Sequence, residues 1–134
     1  MAGSALFEVR KATYATLTGD AALMAKVTDI FDAVPDDSAF PYVTIGDETE
    51  TGFNAFSKIG KAVVLTLHVW SQYQGFKQAD EILVRINEVL DGAALTVTGY
   101  ALVAVQFVSS EHLRDPDGIT RHVVARFRCL VREA

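Results

Sequence analysis

The sequence predicts an α+β domain in which an antiparallel sheet of four or slightly more strands has helices packed on one face. Two observations predict this class. Segments with helical and with alternating hydrophobic spacing follow one another as helix, short helix, two strands, helix, two strands. In addition, the four strands form two consecutive pairs with no helix inside either pair, as antiparallel hairpins do. Because 134 residues suffice for one ordinary core, we expect a single domain over residues 1–134.

Three segments have helical spacing. The first runs from about Ala5 to Leu17, and Ser4 is placed as its N-cap. Asp20 could cap a short second helix that begins at Ala21. The third helix follows Gly75 and ends at Asp91-Gly92, and its apolar stripe consists of Phe76, Ala79, Leu83, Ile86 and Leu90.

The strand signals vary in strength. A brief extended piece is expected at Ile30 to Val34, and β-branched alternation predicts a strand at Tyr42 to Ile45. The clearest strand is Val63 to Trp70, whose two faces carry Val63, Leu65, Leu67 and Val69 on one side and Val64, Thr66, His68 and Trp70 on the other. Two further strands are expected near Tyr100 to Leu113 and Ile119 to Arg132.

The last two strands should form a hairpin, because Asp115-Pro116-Asp117-Gly118 favours a type I turn followed by a bulge. With Asp115 facing Ile119, counting outward gives the rest of the register. The core pairs are Phe107 with Phe127 and Val105 with Cys129, and the pairs on the other face are His112 with His122, Val108 with Arg126 and Gln106 with Arg128.

That second sheet face combines apolar, imidazole and guanidinium groups, which indicates a protein contact rather than a merely solvated surface. The long connection from Asp47 to Gly60 also carries two phenylalanines, which either fold back over their own core or dock on a neighbouring subunit. The predicted subunit or partner interface comprises Phe53, Phe56, Lys58, His68, Trp70, His112, His122, Arg126 and Arg128.

Composition limits the partners. The net charge of −5 argues against general affinity for nucleic acid, although His122, Arg126, Arg128 and Arg132 alternate along one strand face. This stripe could touch DNA, but we favour contact with acidic residues of a protein, such as the Asp47 to Glu50 cluster. No stretch approaches the roughly 18–20 apolar residues of a membrane span, so we expect no membrane contact.

No pattern of residues predicts chemistry. The three histidines lack a cysteine or carboxylate ligand at metal-site spacing, and acidic pairs such as Asp36 with Asp37 are typical of solvated loops. The sequence contains no G-x-S-x-G turn, dinucleotide fingerprint or P-loop, and Cys129 is expected to be a small buried hydrophobe. We therefore predict no catalytic, cofactor-binding or metal-ligating residue and no enzyme.

Several short segments come in a familiar order. Together they resemble the phage tail-completion, or tail-terminator, family, which includes proteins similar to the lambda minor tail protein U and occurs in phages, prophages and gene transfer agents. The segments that carry the resemblance are Ala33-Val34-Pro35, Phe40-Pro41-Tyr42-Val43-Thr44-Ile45-Gly46, Leu65-Thr66-Leu67-His68-Val69-Trp70-Ser71, Leu90-Asp91-Gly92, Leu113-Arg114-Asp115-Pro116-Asp117-Gly118 and Thr120-Arg121-His122.

The resemblance implies an α+β virion subunit, made in the bacterial cytoplasm, that forms a hexameric ring at the head-proximal end of the tail. Such a ring stops polymerisation of the tail tube. Its partners would be other copies of itself, the major tail tube protein and neck or head-completion proteins, while DNA passes through its lumen without specific binding. The family has no catalytic residues or cofactors to carry over.

Two other functions stay open from the residues alone. A small, perhaps dimeric, α+β enzyme or ligand-binding protein could use His68, Trp70, His112 and His122 around a pocket on the open sheet face. An adaptor or assembly chaperone would instead bind a tail protein reversibly and be absent from the finished particle.

Overall fold

The protein is described by a computed structural model that covers residues 3–35, 37–52, 54 and 59–134. Its elements are α1 (Leu6–Thr18), α2 (Ala21–Met24), β1 (Ile30–Phe31), β2 (Tyr42–Gly52), β3 (Gly60–Ser71), α3 (Lys77–Leu90), β4 (Tyr100–Arg114) and β5 (Arg121–Glu133). The predicted α+β class is confirmed, with a fifth strand contributed by the two residues of β1. Among the described residues, no helix is both long and apolar enough to cross a membrane.

The five strands are arranged in the order β1-β2-β3-β5-β4, so β5 lies between β3 and β4. The short β1 is parallel to β2, and all other neighbours are antiparallel. Helices α1 and α3 pack on one face of this sheet, where alternate side chains of the two central strands are buried. These buried residues are Val63, Leu65, Leu67 and Val69 of β3 and Val123, Ala125, Phe127, Cys129 and Val131 of β5.

The helix ends correct one prediction and confirm another. Helix α1 has Ala5 rather than Ser4 as its N-cap, and the Ser4 hydroxyl accepts a hydrogen bond from the N–H of Leu6 at 3.2 Å. The Ala5 N–H is instead satisfied by Glu50 Oε2 at 2.6 Å, which connects the start of α1 to β2. Asp20 does cap α2, because its Oδ2 accepts from the N–H of Leu23 at 2.9 Å.

The predicted turn between β4 and β5 is present. The N–H of Gly118 donates to the carbonyl of Asp115 at 3.0 Å, and Gly118 has a φ of 71°, where a residue without Cβ is favoured. However, the loop also includes Ile119, because the N–H of Asp115 donates to the carbonyl of Thr120. The loop is therefore one residue longer than predicted.

This extra residue shifts the register near the turn. His112 lies opposite Val123 rather than His122, and Ser109 instead of Val108 lies opposite Arg126. A bulge between Phe107 and Ser109 absorbs the shift, so the three predicted pairs beyond it are correct: Phe107 with Phe127, Val105 with Cys129 and Gln106 with Arg128.

One of these correctly paired residues is not in the core as predicted. Phe107 is 39% exposed, whereas its partner Phe127 is fully buried. Phe107 lies on the edge strand β4, whereas Phe127 lies on β5, which has a neighbouring strand on either side.

The connection between β2 and β3 is shorter than expected, because β2 continues to Gly52 and pairs with β3 over most of its length. A bulge between Gly46 and Thr49 contains Asp47, whose φ is 52°. Phe53, Phe56 and Lys58, predicted as interface residues, lie outside the described residues.

Candidate interaction surface

The sheet face opposite α1 and α3, which we call the outer face, carries a row of rings across three strands. Tyr42 of β2 pairs with Trp70 of β3, which in turn pairs with His122 of β5. The Tyr42 and Trp70 ring centroids are 6.4 Å apart, and those of Trp70 and His122 are 3.8 Å apart with an interplanar angle of 11°. The indole N–H of Trp70 donates to Thr44 Oγ1 at 3.2 Å, so its polar atom is satisfied within the face.

Beside this row, Asp47, His68 and His122 form a hydrogen-bonded chain. His68 Nδ1 lies 2.7 Å from His122 Nε2, and His68 Nε2 lies 3.0 Å from Asp47 Oδ2. With both rings neutral, His68 donates to the carboxylate and accepts from the N–H of His122. Burial, and next the proximity of His68, lower the pKa of His122 from its ordinary value, which favours this neutral state.

The left-handed backbone of Asp47 belongs to the β2 bulge, which therefore brings the carboxylate to the histidine pair. An open cavity of about 430 Å³ lies beside these groups, and Asp32 and Val34 reach it from the segment after β1. The two imidazoles use their facing nitrogens on each other. Among the residues that the structure describes, no group of three or more histidine, cysteine, aspartate or glutamate side chains is arranged to hold a metal.

His112 does not join this cluster. Its ring stacks on Phe76 with a centroid distance of 4.1 Å, and its Nε2 lies 2.7 Å from Oδ1 of Asp80 in α3. His112 is therefore on the helix-covered face, and the predicted pair with His122 is wrong because of the register shift near the turn.

The basic stripe of β5 occupies the other half of the outer face. Arg126 lies 3.3 Å from Glu111 Oε1, and Arg128 donates to Gln106 Oε1 at 3.1 Å. Both contacts are to β4 and are exposed, so they leave much of each guanidinium free for solvent or a partner. The stripe and the aromatic and histidine cluster therefore form one continuous surface. Of the predicted interface residues, this surface contains His68, Trp70, His122, Arg126 and Arg128.

Sequence reasoning missed three members of this surface: Tyr42, Thr44 and Asp47. Tyr42 and Thr44 could have been found, because alternation along β2 places them on the face opposite Val43 and Ile45. Asp47 could not have been found, because its position depends on a bulge that the polar residues around it do not predict.

Comparisons with known proteins agree with one another. A family model described as tail completion protein gp17 matches residues 11–132. Tail completion protein gp17 of Bacillus phage SPP1 is 31% identical over 120 residues, which are 90% of this chain and 89% of that protein. The structure of bacteriophage SPP1 gp17 is also similar, with 29% identity, a TM-score of 0.63, and coverage of 90% of this chain and 86% of that one.

A chain in the virion of a native gene transfer agent particle has the same fold. It is 24% identical, has a TM-score of 0.83, and the match covers 91% of this chain and 92% of that chain. At this level of identity the likeness bears on the fold alone.

Proposed function

Since this chain belongs to the tail completion protein gp17 family, we propose that it forms a hexameric ring at the head-proximal end of a phage or phage-like tail. There it ends polymerisation of the tail tube and joins the tail to the neck and head. The observation that carries the proposal is the family match over residues 11–132, which spans the strands of the outer face except for Glu133 at the end of β5. The family is structural, so the alternative of a histidine-based enzyme is wrong.

The mechanism is geometric. A head-to-tail contact repeated around an axis closes when the rotation between copies completes a circle. Once closed on the end of a tube, the ring offers no surface to which another tube subunit can add. It can then present a different surface to the neck.

The outer face supports the proposal because it is built for a contact. No described helix covers it, yet it holds Trp70 and Tyr42 as stacked rings rather than as isolated side chains. Aromatic and arginine side chains are enriched at the centres of protein interfaces. We assign His68, Trp70, His122, Arg126 and Arg128 to this contact, together with Phe53, Phe56 and Lys58 of the β2–β3 connection.

The proposed partners are other copies of the chain, the major tail tube protein and neck or head-completion proteins. DNA would pass through the lumen without specific binding. The net charge of −5 is compatible with that passage, because an acidic ring does not retain a polyanion.

The direct test is to remove the gene from cells that produce the particles and to image their tails. We expect tubes of uncontrolled length that lack heads, with normal particles restored by the wild-type gene. Complementation with the Trp70→Ala gene tests the assigned surface, and Val84→Ala, which changes an exposed residue of α3, is the matched control. Only Trp70→Ala should fail to restore normal particles. Tails of normal length joined to heads in the deletion strain would contradict the proposal. An assembly chaperone would give the same deletion result but would be absent from finished wild-type particles.

A further inference from the structure

The β1 edge of the sheet bears an apolar groove between α1 and β1. The groove encloses about 440 Å³, and its walls include Phe7 and Tyr14 of α1 and Phe31 of β1. Phe7 is 59% and Tyr14 42% exposed, so their rings leave the groove with exposed apolar surface. The next turn of α1 adds the cations of Arg10 and Lys11 to the same lining.

Most charges of this groove are already balanced. Arg10 lies 3.5 Å from Asp32 and 3.7 Å from Glu48, so it neutralises carboxylates of its own chain. Lys11 is 63% exposed and has only a long contact, 3.9 Å, to Glu8. The groove therefore presents apolar walls together with two exposed charges, the ammonium of Lys11 and the carboxylate of Asp32, which is 65% exposed.

The opposite edge of the sheet is β4, and it bears small apolar groups. Two bulges interrupt the strand, and each leaves one unpaired valine, Val103 or Val108, that is 48% exposed. A shallow groove of about 540 Å³ lies beside Val103, and it is lined by Ala93, Ala94 and Ala104 and by the carboxylate-bearing Asp91.

The backbone at the centre of this edge is not free to pair with another strand. Asp91 Oδ1 accepts from the N–H of Phe107 at 2.9 Å, and the carbonyl of Val105 accepts from the N–H of Gly92 at 2.9 Å. These bonds satisfy groups that would otherwise recruit a strand. A partner at this point must therefore bind through side chains.

We propose that successive copies of this chain meet edge to edge, with the β4 edge of one copy seated in the α1–β1 groove of the next. The inference rests on the ring proposed above, and it adds an edge contact between neighbouring copies to the outer-face contact assigned there. The exposed valines and the aromatic walls are both apolar, and Asp91 and Lys11 carry opposite charges that attract each other. Because the two surfaces differ and lie at opposite edges of one sheet, the contact is head-to-tail, as a closed ring requires.

Chemical cross-linking tests the contact. Tyr14→Cys and Val103→Cys place one thiol at each edge, and both side chains are exposed, so the fold should tolerate the changes. The native Cys129 can remain, since it is fully buried and burial raises the pKa of its thiol to about 11. Particles carrying the double variant are purified, treated with a short bis-maleimide and separated on a denaturing gel.

We expect a ladder of cross-linked copies from the double variant and only single chains from either variant alone. The matched control pairs Val103→Cys with Val84→Cys, a valine on the solvent side of α3 that is more exposed (58%) than Tyr14. This control should give no ladder, because Val84 does not line the α1–β1 groove.

The outcomes separate this inference from the proposed function. A second pair, Phe7→Cys with Val108→Cys, tests whether the two copies meet at a position displaced along the edge. If microscopy shows the ring and neither pair gives a ladder, the edge contact is wrong although the ring stands. A dimer from Val103→Cys alone would mean a two-fold contact, and a product of Tyr14→Cys with a different tail protein would mean a different occupant; either overturns the inference. If particles contain no ring, both proposals fail.

Discussion

The Nδ1 atom of His68 lies 2.7 Å from the Nε2 atom of His122, although the two residues are 54 positions apart in sequence. The register of β3 with β5 explains this, because Trp70 is paired with His122 and His68 lies two residues away on the same face. The contact fixes the two imidazoles as a hydrogen-bonded pair on the outer face.

The histidine pair should make stability depend on pH. The pKa of His122 is lowered from 6.5 by burial and by His68, while Asp115 and Glu111 partly oppose the shift. The unfolded chain therefore binds more protons below about pH 6.5, and the unfolding free energy should fall as the pH decreases through 6.5. Urea unfolding of wild type and His122→Gln between pH 8 and 5 checks this. Wild type should lose stability relative to the variant as the pH falls, and a constant difference would contradict the assignment.

The partly buried carboxylate of Asp20 should contribute to stability. It caps α2 and accepts from Arg85 Nε and from a terminal nitrogen of the same guanidinium, at 2.8 and 2.7 Å, which ties α2 to α3. We expect Asp20→Ala to lower the Tm more than Asp20→Asn, because asparagine keeps a cap acceptor. Thermal unfolding measures both, and Glu88→Gln, which removes only a 3.4 Å contact to Arg85, is the control. Equal losses from Ala and Asn would exclude a role for the cap.

The contribution of Asp20 to the unfolding free energy should depend on pH in the acid range. The Arg85 hydrogen bond, then the Leu23 N–H, lower the pKa of Asp20 from 3.8 to about 2. Its contribution to stability is present above pH 3.8 and is lost as the pH falls toward 2. Urea unfolding of wild type and Asp20→Asn between pH 5 and 2 measures this, and the two unfolding free energies should converge as the pH falls toward 2. Parallel curves down to pH 2 would show that the pKa is not lowered in the folded state.

The cross-strand phenylalanine pair offers a matched test of burial. The Phe107 and Phe127 rings are 5.7 Å apart, but only Phe127 is fully buried. Phe127→Ala should cost about 3–5 kcal/mol of unfolding free energy, because it removes apolar contacts and leaves a cavity. Phe107→Ala should cost clearly less, since its side chain already meets solvent. Urea unfolding compares the two, and equal costs would mean that Phe107 is covered in solution.

The docking role of the β2–β3 connection is a prediction from sequence. Phe53→Ala combined with Phe56→Ala should leave folding intact and impair assembly, because two phenylalanines in a polar segment suit docking on a partner. Circular dichroism checks the fold, and microscopy of complemented particles checks tail length and head joining. Normal tails joined to heads in the double variant would refute a docking role.

The elements with strong periodicity could be predicted from sequence, and the long-range arrangement could not. Helix α3 and strand β3 follow directly from apolar spacing, because burial of one stripe or one alternating set determines each. The insertion of β5 between β3 and β4 depends on contacts distant in sequence. The polar half of β2 was missed for a similar reason: its residues pair with β3 by backbone hydrogen bonds that leave no hydrophobic pattern.

The candidate surface was predictable where its members share one strand face. Trp70 with His68, and Arg126 with Arg128, follow from alternation along β3 and β5. His112 was misplaced because one extra loop residue transfers a side chain to the opposite face until a bulge restores the register. Turn length is therefore the step at which sequence reasoning about this hairpin failed.

The most direct test of the central claim is to determine the position and copy number of this chain in purified particles by electron microscopy of the junction between tail and neck. The account predicts a single ring of six copies at the head-proximal end of the tube. Absence of the chain from finished particles, or its location elsewhere in the tail, would contradict it.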